Sequence, residues 1–235
     1  MGDTQVPDGR GGALRAYLAE PPTGTGPWPG VVLLHEILGL TRDIRSHADR
    51  LAAAGYLAVA PDLYSDGGAR RCLVRTVRAL NAGAGAAVQD IDTTRQWLAA
   101  RADCTGRVGV AGFCLGGGFA LVMAARGFDA ASTSYGPLPR DPAAALAGAC
   151  PVVGSYGAKD PMMRGAGPEL DAVLTELGVE HDVKEYPLVG HSFMNRHPVG
   201  PLTALERVVG LGHDDAAAEQ AWARILAFFG THLGR

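Results

Sequence analysis

Long hydrophobic runs are missing from this sequence, although 47% of its 235 residues are hydrophobic. No run approaches the roughly 20 residues that a transmembrane helix needs. The first residues also lack the basic segment followed by an apolar one that marks a secretory signal, and Val6 stands where a myristoylation motif requires Ser or Thr. We therefore expect a cytoplasmic protein without a membrane partner.

The sequence also lacks a strong charge imbalance and closely spaced cysteine pairs. Its 21 basic and 24 acidic residues give a net charge of -3, so nothing favours nucleic acid or an anionic membrane surface as a partner. The four cysteines are too far apart for a zinc or redox motif, which leaves a structural disulfide open: Cys72, Cys104, Cys114 and Cys150. A reducing compartment would keep all four as free thiols.

No linker and no internal repeat divides the chain, so residues 1–235 are expected to form one domain, as a monomer or a small homo-oligomer. Apolar segments of strand length alternate with amphipathic helical segments. The predicted strands span residues 13–19, 30–35, 56–60, 107–111, 130–135, 151–157 and 182–186. The predicted helices span residues 42–54, 88–101, 115–125, 169–177 and 216–232. This alternation predicts an α/β fold with a mostly parallel sheet and helices on both faces.

Cys114 lies in the sequence Gly-Phe-Cys-Leu-Gly-Gly-Gly, between a predicted strand and a predicted helix. Small residues flank the nucleophile in a G-x-S-x-G elbow because the sharp turn brings the strand and the helix close together. Here the same geometry would present a thiol at a helix N-terminus, where the helix dipole favours the thiolate. The alternative is a cysteine that only packs in the core.

Three further loops follow predicted strands and contain ionisable residues: Glu36, Asp160 and His191. In an open parallel sheet, the loops after the strands converge at one edge, where ligands bind. The order Cys114, Asp160, His191 matches the nucleophile, acid, base order of α/β-hydrolases. Alternatively, Asp160 could bond only its own turn, His191 could cap a loop, and Glu36 could pair with a surface arginine.

Together these motifs resemble the dienelactone hydrolase family, whose members are cysteine-dependent enzymes with the α/β-hydrolase fold. The resemblance extends from about residue 30 to the last helix. It rests on His-Glu after a strand, Pro-Asp-Leu-Tyr at 61–64, the cysteine elbow, Asp160, and Gly-His-Ser-Phe at 190–193. It implies hydrolysis of a small ester or lactone without metal or organic cofactor, and a small-molecule substrate as the only partner.

The resemblance also implies a role for each matching residue. Cys114 would be the nucleophile, His191 the base, and Asp160 the carboxylate that orients His191. Glu36 would hold the thiol proton while the site is empty. Apart from the resemblance, we expect His35 to brace the loop and not to carry a proton. The oxyanion would be bound by the backbone N–H groups of two residues, Leu115 and Ile37.

Substrate binding is less clearly specified by the sequence. Family members bind the carboxylate of dienelactone with arginines, and residues 69–75 contain Arg70 and Arg71, which could instead lie on a solvated helix face. The second family arginine aligns with Asn195, and Arg196 is displaced by one position. Two aromatic residues complete the predicted substrate-binding set, Tyr64 and Phe193. The connection after Tyr64 is also short, which would alter the pocket wall.

Residues 187–214 form a long connection that could act as a partial lid over the sulfur. Five histidines have no metal-ligand spacing, and we expect them in solvated or loop positions: His47, His181, His197, His213 and His232. Two other functions are compatible with the motifs. One is a general carboxylesterase or thioesterase, and the other is a non-catalytic protein that binds a ligand or senses oxidation through Cys114.

Overall fold

The computed structural model describes residues 1–196 and 212–234. Its strands are β1 (Gly2–Pro7), β2 (Ala13–Ala19), β3 (Trp28–Leu34), β4 (Leu57–Pro61), β5 (Cys104–Phe113), β6 (Ala130–Ser134), β7 (Val152–Gly157) and β8 (His181–Tyr186). Its helices are α1 (Arg42–Ala53), α2 (Ala69–Ala82), α3 (Ala86–Ala99), α4 (Leu115–Ala124), α5 (Pro142–Leu146), α6 (Ala166–Glu176) and α7 (Asp215–Leu233).

The eight strands form one sheet in the order β1-β2-β4-β3-β5-β6-β7-β8. The pairs β1/β2 and β2/β4 are antiparallel. All strands from β4 to β8 pair in parallel, with Val32 opposite Val110 and Ala111 opposite Ser132 at the centre of the sheet. The carboxyl ends of these parallel strands therefore meet at one edge, which gathers their following loops.

Helices cover both faces of the sheet because the central strands are apolar on both sides. In β3, Val32 and Leu34 belong to a core shared with α2, α3, α4 and α6. The alternate residues Val31 and Leu33 belong to the opposite core, which α1 and α7 complete. Polar residues do not alternate with apolar residues along β3, as expected for a strand that is buried on both faces. The predicted mostly parallel α/β sheet is confirmed.

Every predicted strand and helix is present, with ends that differ by at most a few residues. Three elements were not predicted: β1, α2 and α5. Strand β1 has only one buried residue, Val6, and lies at the edge of the sheet, so its sequence carries little apolar pattern. Helix α2 begins after Gly68 without a side-chain cap, and the sequence suggested only a possible solvated helix face at residues 69–75.

No helix within residues 1–196 and 212–234 is long and apolar enough to cross a membrane. All four cysteines are free thiols. The disulfide that the sequence left open is therefore not formed, and Cys114 is available as a thiol.

Candidate active site

Cys114 lies in the sharp turn between β5 and α4. Its backbone has φ 51° and ψ -118°, a left-handed φ that is rare for residues other than glycine. The turn is held by two backbone hydrogen bonds: Cys114 N–H donates to the Ser134 carbonyl (3.0 Å), and Gly118 N–H donates to the Cys114 carbonyl (3.1 Å). The cysteine is partly exposed at the N-terminus of a buried helix. This geometry is that of a nucleophile elbow.

Two glycines allow this turn because backbone atoms occupy the space of a side chain. A Cβ at Gly112 would lie 2.0 Å from the Gly116 carbonyl oxygen, and a Cβ at Gly116 would lie 2.2 Å from the Leu34 carbonyl oxygen. Both distances are far below any tolerable contact. The small residues around Cys114 are therefore required by the approach of β5, α4 and β3.

Asp160 and His191 form a buried hydrogen bond at the ends of β7 and β8. His191 Nδ1 and Asp160 Oδ2 are 2.6 Å apart, and the two residues, His191 and Asp160, are 3% and 1% exposed. The second carboxylate oxygen, Oδ1, accepts hydrogen bonds from the backbone N–H groups of Met162 (2.8 Å) and Met163 (3.2 Å). Asp160 thus bonds both its own turn and the His191 ring.

The His191 ring is held in an environment that favours its protonation. Burial alone would lower its pKa, but the hydrogen bond to Asp160 and the interaction with the Cys114 sulfur outweigh burial and raise the pKa to about 9. With Nδ1 committed to Asp160, Nε2 is buried and makes no hydrogen bond of good geometry with any described residue. The sulfur is close enough to influence the ring without such a bond, so Nε2 is the nitrogen that can exchange a proton with it.

The loop after β3 brings Glu36 and Ile37 to the same edge of the sheet. Glu36 is 3% exposed, and its Oε2 accepts a hydrogen bond from Asn195 Nδ2 (3.0 Å). His35 braces this loop: its Nδ1 bonds the Glu36 carbonyl (2.7 Å), and its Nε2 accepts from the Leu63 N–H (3.0 Å). Burial lowers the pKa of His35 and keeps the ring neutral. The loop after β3 is thereby tied to the loop after β4.

Leu115 and Ile37, the two expected oxyanion donors, lie at the elbow and in the loop after β3. Leu115 is the first residue of α4, so its N–H has no acceptor within the helix. Ile37 lies in the braced loop, and it is 46% exposed. The N–H of Cys114 itself donates to the Ser134 carbonyl, whereas α4 offers no acceptor to the N–H of Leu115.

Two residues of the site were missed from the sequence, Tyr135 and His47. Tyr135 directly follows β6, and its ring packs edge-on against His191 with centroids 5.1 Å apart. His47 was expected in a solvated or loop position, and this was wrong: it is a buried residue of α1 (7% exposed), stacked on Phe113. Both side chains bond Asn195. The position of Tyr135 after a strand could have identified it, whereas His47 has no such signal.

Two predicted substrate-binding aromatics are buried beside the site. Tyr64 is 2% exposed, and its ring lies against His35 at 4.8 Å. Burial, followed by nearby Asp62 and Cys114, raises the pKa of Tyr64 to about 12, so its hydroxyl stays protonated. Phe193 is fully buried between Tyr135 and Tyr186. In this conformation Phe193 packs against Tyr135, which in turn contacts His191.

The predicted arginines lie at the surface. Arg70 and Arg71 are exposed residues in the first turn of α2, which is the solvated helix face considered from the sequence. The side chain of Arg196 is 68% exposed and bonds Asp215 at the start of α7. The structure thus brings Asn195 into the site and leaves Arg196 outside it.

A cavity of about 690 Å³ opens beside the site. Its wall includes Leu38 of the loop after β3, Tyr64, and two ion-paired arginines, Arg15 and Arg45. Neither Cys114 nor His191 contributes to the wall. The cavity is therefore a neighbour of the reactive groups and does not contain them. Of the predicted lid at 187–214, residues 197–211 lie outside the described residues.

The described residues contain no group of three or more His, Cys, Asp or Glu side chains that could hold a metal ion. The groups that do converge are a thiol, an imidazole bonded to a carboxylate, a second buried carboxylate, and backbone N–H donors. This set can form a thiolate, stabilise an oxyanion and move a proton, which are the requirements of acyl transfer.

Comparison with known proteins agrees with this geometry. Residues 14–233 match the model of the dienelactone hydrolase family. Two curated relatives are both named "Putative carboxymethylenebutenolidase". The Azospirillum brasilense protein is 32% identical over the full length of both chains, and the Yersinia pestis protein is 29% identical over 98% of this chain and 88% of its own. A solved structure named "Putative Dienelactone Hydrolase", from Klebsiella pneumoniae, superposes with a TM-score of 0.80 at 29% identity and covers 97% of each chain. The chain therefore has the α/β-hydrolase fold, belongs to the dienelactone hydrolase family and is a carboxylic ester hydrolase of that kind.

Proposed function

We propose that this protein hydrolyses a small ester or lactone through a Cys114–His191–Asp160 triad and an acyl-enzyme. The observation that carries the proposal is the buried His191–Asp160 hydrogen bond, which leaves Nε2 as the nitrogen available to the elbow sulfur. The hydrogen bond to Asp160 and the Cys114 sulfur raise the pKa of His191 to about 9, so the imidazolium that forms when Nε2 takes the thiol proton is stabilised beside the thiolate.

The reaction follows from these groups in two halves. His191 Nε2 takes the proton of Cys114, and the thiolate attacks the carbonyl carbon of the substrate. The N–H groups of Leu115 and Ile37 bind the oxyanion, and each such donor typically contributes about 3 to 4 kcal/mol to lowering the barrier. The C–O bond breaks, the leaving oxygen takes the proton from His191, and a thioester remains. His191 then deprotonates a water molecule, which attacks the thioester and releases the acid and the thiol.

Glu36 has a separate part in this proposal. A carboxylate beside the sulfur disfavours the thiolate by like-charge repulsion and offers the neutral thiol an acceptor. Glu36 and Cys114 both lie within electrostatic reach of Tyr64 and of Tyr135, which supports a role of this carboxylate near the sulfur. In the empty enzyme this arrangement would keep Cys114 protonated and protect it from oxidation.

We place this activity in a reducing compartment, the cytoplasm, because the mechanism requires a free thiol. The four cysteines are all unpaired, and burial raises the pKa of two of them, Cys104 and Cys150. Raised pKa values leave those thiols less reactive at neutral pH.

The nucleophile is tested by comparing two cysteine variants. Cys114→Ala should lose turnover of an activated aryl ester and of a dienelactone, while Cys150→Ala, which changes the other partly exposed cysteine, should retain wild-type turnover. Mass spectrometry of the wild-type protein quenched during turnover should find the acyl group on the peptide that contains Cys114. Turnover in Cys114→Ala equal to that of the wild type would refute the assignment.

The substrate class is tested with a panel of cis- and trans-dienelactone, neutral lactones, simple esters and thioesters. Preference for dienelactone and other lactones supports a dienelactone-hydrolase-like form of the proposed function, and equal or better turnover of open-chain esters or thioesters supports the general carboxylesterase or thioesterase alternative. No turnover of any member by protein with a titratable Cys114 thiol would favour the non-catalytic alternative.

A further inference from the structure

Asn195 connects three parts of the site through its side-chain amide. It is 1% exposed. Its Nδ2 donates to Glu36 Oε2 (3.0 Å), and its Oδ1 accepts from the Tyr135 hydroxyl (2.8 Å) and from His47 Nε2 (3.0 Å). Glu36 lies in the loop after β3, Tyr135 directly follows β6, and His47 lies on α1. A single amide therefore joins the loop that contains His191 to three other elements.

The bonding pattern allows one orientation of this amide. The carboxylate of Glu36 can only accept hydrogen bonds when it is charged, so it must face Nδ2. The oxygen Oδ1 can only accept, so both Tyr135 and His47 must donate to it. Burial lowers the pKa of His47, so the ring is neutral, and donation to Oδ1 requires its proton on Nε2. A flipped amide would place two oxygen atoms against each other at Glu36.

The two donors to Asn195 are themselves held by aromatic packing. His47 is stacked on Phe113, with centroids 4.5 Å apart and planes at 22°, and it also contacts Trp222. Tyr135 packs edge-on against His191 and Phe193. Asn195 consequently has little freedom to move, and it offers its N–H to Glu36 at a fixed position.

We propose that Asn195 is a positioning residue that anchors Glu36 and thereby sets how readily Cys114 ionises in the empty enzyme. This inference rests on the proposed roles of Cys114 and Glu36. Asn195 anchors the carboxylate with a neutral donor and so adds no charge of its own. A guanidinium at this position would offset the negative charge of Glu36. Its effect on the sulfur is transmitted through the position and charge of Glu36.

Several other ionisable groups face this network and enter its pH dependence. His35 and Tyr64 lie within electrostatic reach of Glu36, as do His47 and Tyr135. On α1, His47 also faces two charged residues, Asp43 and Arg50. All of these groups are unchanged in the variants below, so differences between the variants report on positions 36 and 195.

The substitution Asn195→Asp exchanges the amide for a carboxylate of the same shape. Two carboxylates about 3 Å apart cannot both stay ionised near neutral pH, so they share one proton. The carboxylate at 195 keeps two donors, Tyr135 and His47, and therefore holds the charge more strongly. Glu36 takes up the proton and becomes neutral, as in Glu36→Gln.

The experiment measures the pH dependence of Cys114 alkylation by iodoacetamide in the full chain, with the peptide that contains Cys114 identified by mass spectrometry. Asn195→Asp and Glu36→Gln should each lower the pH midpoint of alkylation, and each unit corresponds to a tenfold rise in rate below the midpoint. The double variant should show no larger shift than Glu36→Gln alone, because Asn195 acts through Glu36. The control is Asn81→Asp, the same change at an exposed position of α2, which should match the wild type.

An Asn195→Asp profile that matches Asn81→Asp, or a shift that adds to that of Glu36→Gln, would overturn the inference. If Asn195→Asp does not fold, Asn195→Ser replaces it, because its short hydroxyl cannot span to Glu36, and the same lack of additivity is required. Alkylation needs no ester turnover. A wild-type protein that hydrolyses nothing would thus refute the proposed function while the coupling of positions 195 and 36 is still measured.

Discussion

The Nδ1 atom of His191 lies 2.6 Å from Oδ2 of Asp160, inside a part of the fold from which water is almost completely excluded. The other oxygen of Asp160 is bonded to two backbone N–H groups of its own turn. The backbone turn therefore fixes the carboxylate, and the carboxylate fixes the imidazole. Because the two oxygens have separate hydrogen-bond partners, the charge of Asp160 can be removed without breaking the hydrogen bonds of the turn.

Asp160→Asn should consequently fold and lose activity. The amide oxygen can still accept from the turn, but the amide nitrogen then faces His191 Nδ1 and favours the tautomer with its proton on Nε2, which cannot take the thiol proton. We expect kcat to fall by about 10³- to 10⁴-fold while Tm changes little. The measurements are steady-state kinetics and thermal unfolding. A kcat within tenfold of the wild type would mean that Asp160 serves only its turn.

The sequence predicted the local features of this site well and the long-range features poorly. The elbow at Cys114 is specified by residues close to it in the sequence. Gly112 and Gly116 must be glycine because backbone atoms occupy the space of a side chain at both positions. Asp160 and His191 each follow a strand, and parallel strands bring such residues together. The Asn195 network joins His47 to a partner 148 positions away, and no local pattern specifies that contact.

Elements at the margin of the fold were missed for a related reason. Strand β1 is held mainly by its ladder with β2, and five of its six side chains are at least partly exposed. Backbone hydrogen bonds do not depend on side-chain pattern, so the strand leaves little trace in the sequence. Strand β3, whose residues after Trp28 are all buried, was predicted to within two residues.

The raised pKa of His191 predicts a loss of stability at alkaline pH. The folded-state pKa is about 9 and the unfolded value is about 6.5. The stabilisation is thus complete below pH 6.5 and is lost as pH rises through 9, and it amounts to at most about 3 kcal/mol. Urea unfolding of the wild type between pH 6 and pH 10 should show this fall in the free energy of unfolding.

His191→Gln serves as the control for that titration. It removes the titrating group, while every other ionisable residue is common to both proteins. The difference in unfolding free energy between the wild type and His191→Gln should therefore shrink from pH 6.5 to pH 9. A difference that stays constant with pH would show that His191 is not charged in the folded protein.

Arg196→Ala should have little effect on catalysis with any substrate. The side chain is 68% exposed and bonds Asp215, so it lies away from the buried Asn195 amide. We expect kcat/KM to change by less than about twofold for neutral and for carboxylate-bearing esters alike. Arg71→Ala, which changes an exposed residue of α2, should behave in the same way. A loss confined to carboxylate-bearing substrates in either variant would place that guanidinium at the substrate.

The same substitution in two helices should have opposite effects on stability. Gly→Ala in a helix usually stabilises a protein by about 0.5 to 1 kcal/mol. Among the described residues outside its own helix, a methyl group at Gly230 in α7 would have only the Tyr56 hydroxyl within 4 Å, at 3.9 Å. Gly230→Ala should therefore raise Tm. Gly116→Ala in α4 places its methyl group 2.2 Å from the Leu34 carbonyl oxygen, which is backbone and cannot rotate away.

Gly116→Ala should cost about 3 kcal/mol or more, because β3 and α4 must separate to admit the methyl group. That separation would also move Leu115, whose N–H is the proposed oxyanion donor of the elbow, so any folded fraction should show a reduced kcat. Thermal unfolding and kinetics of the two variants measured side by side check both statements. If Gly116→Ala were as stable and as active as Gly230→Ala, the close approach of β3 and α4 would not be what requires a glycine after Cys114.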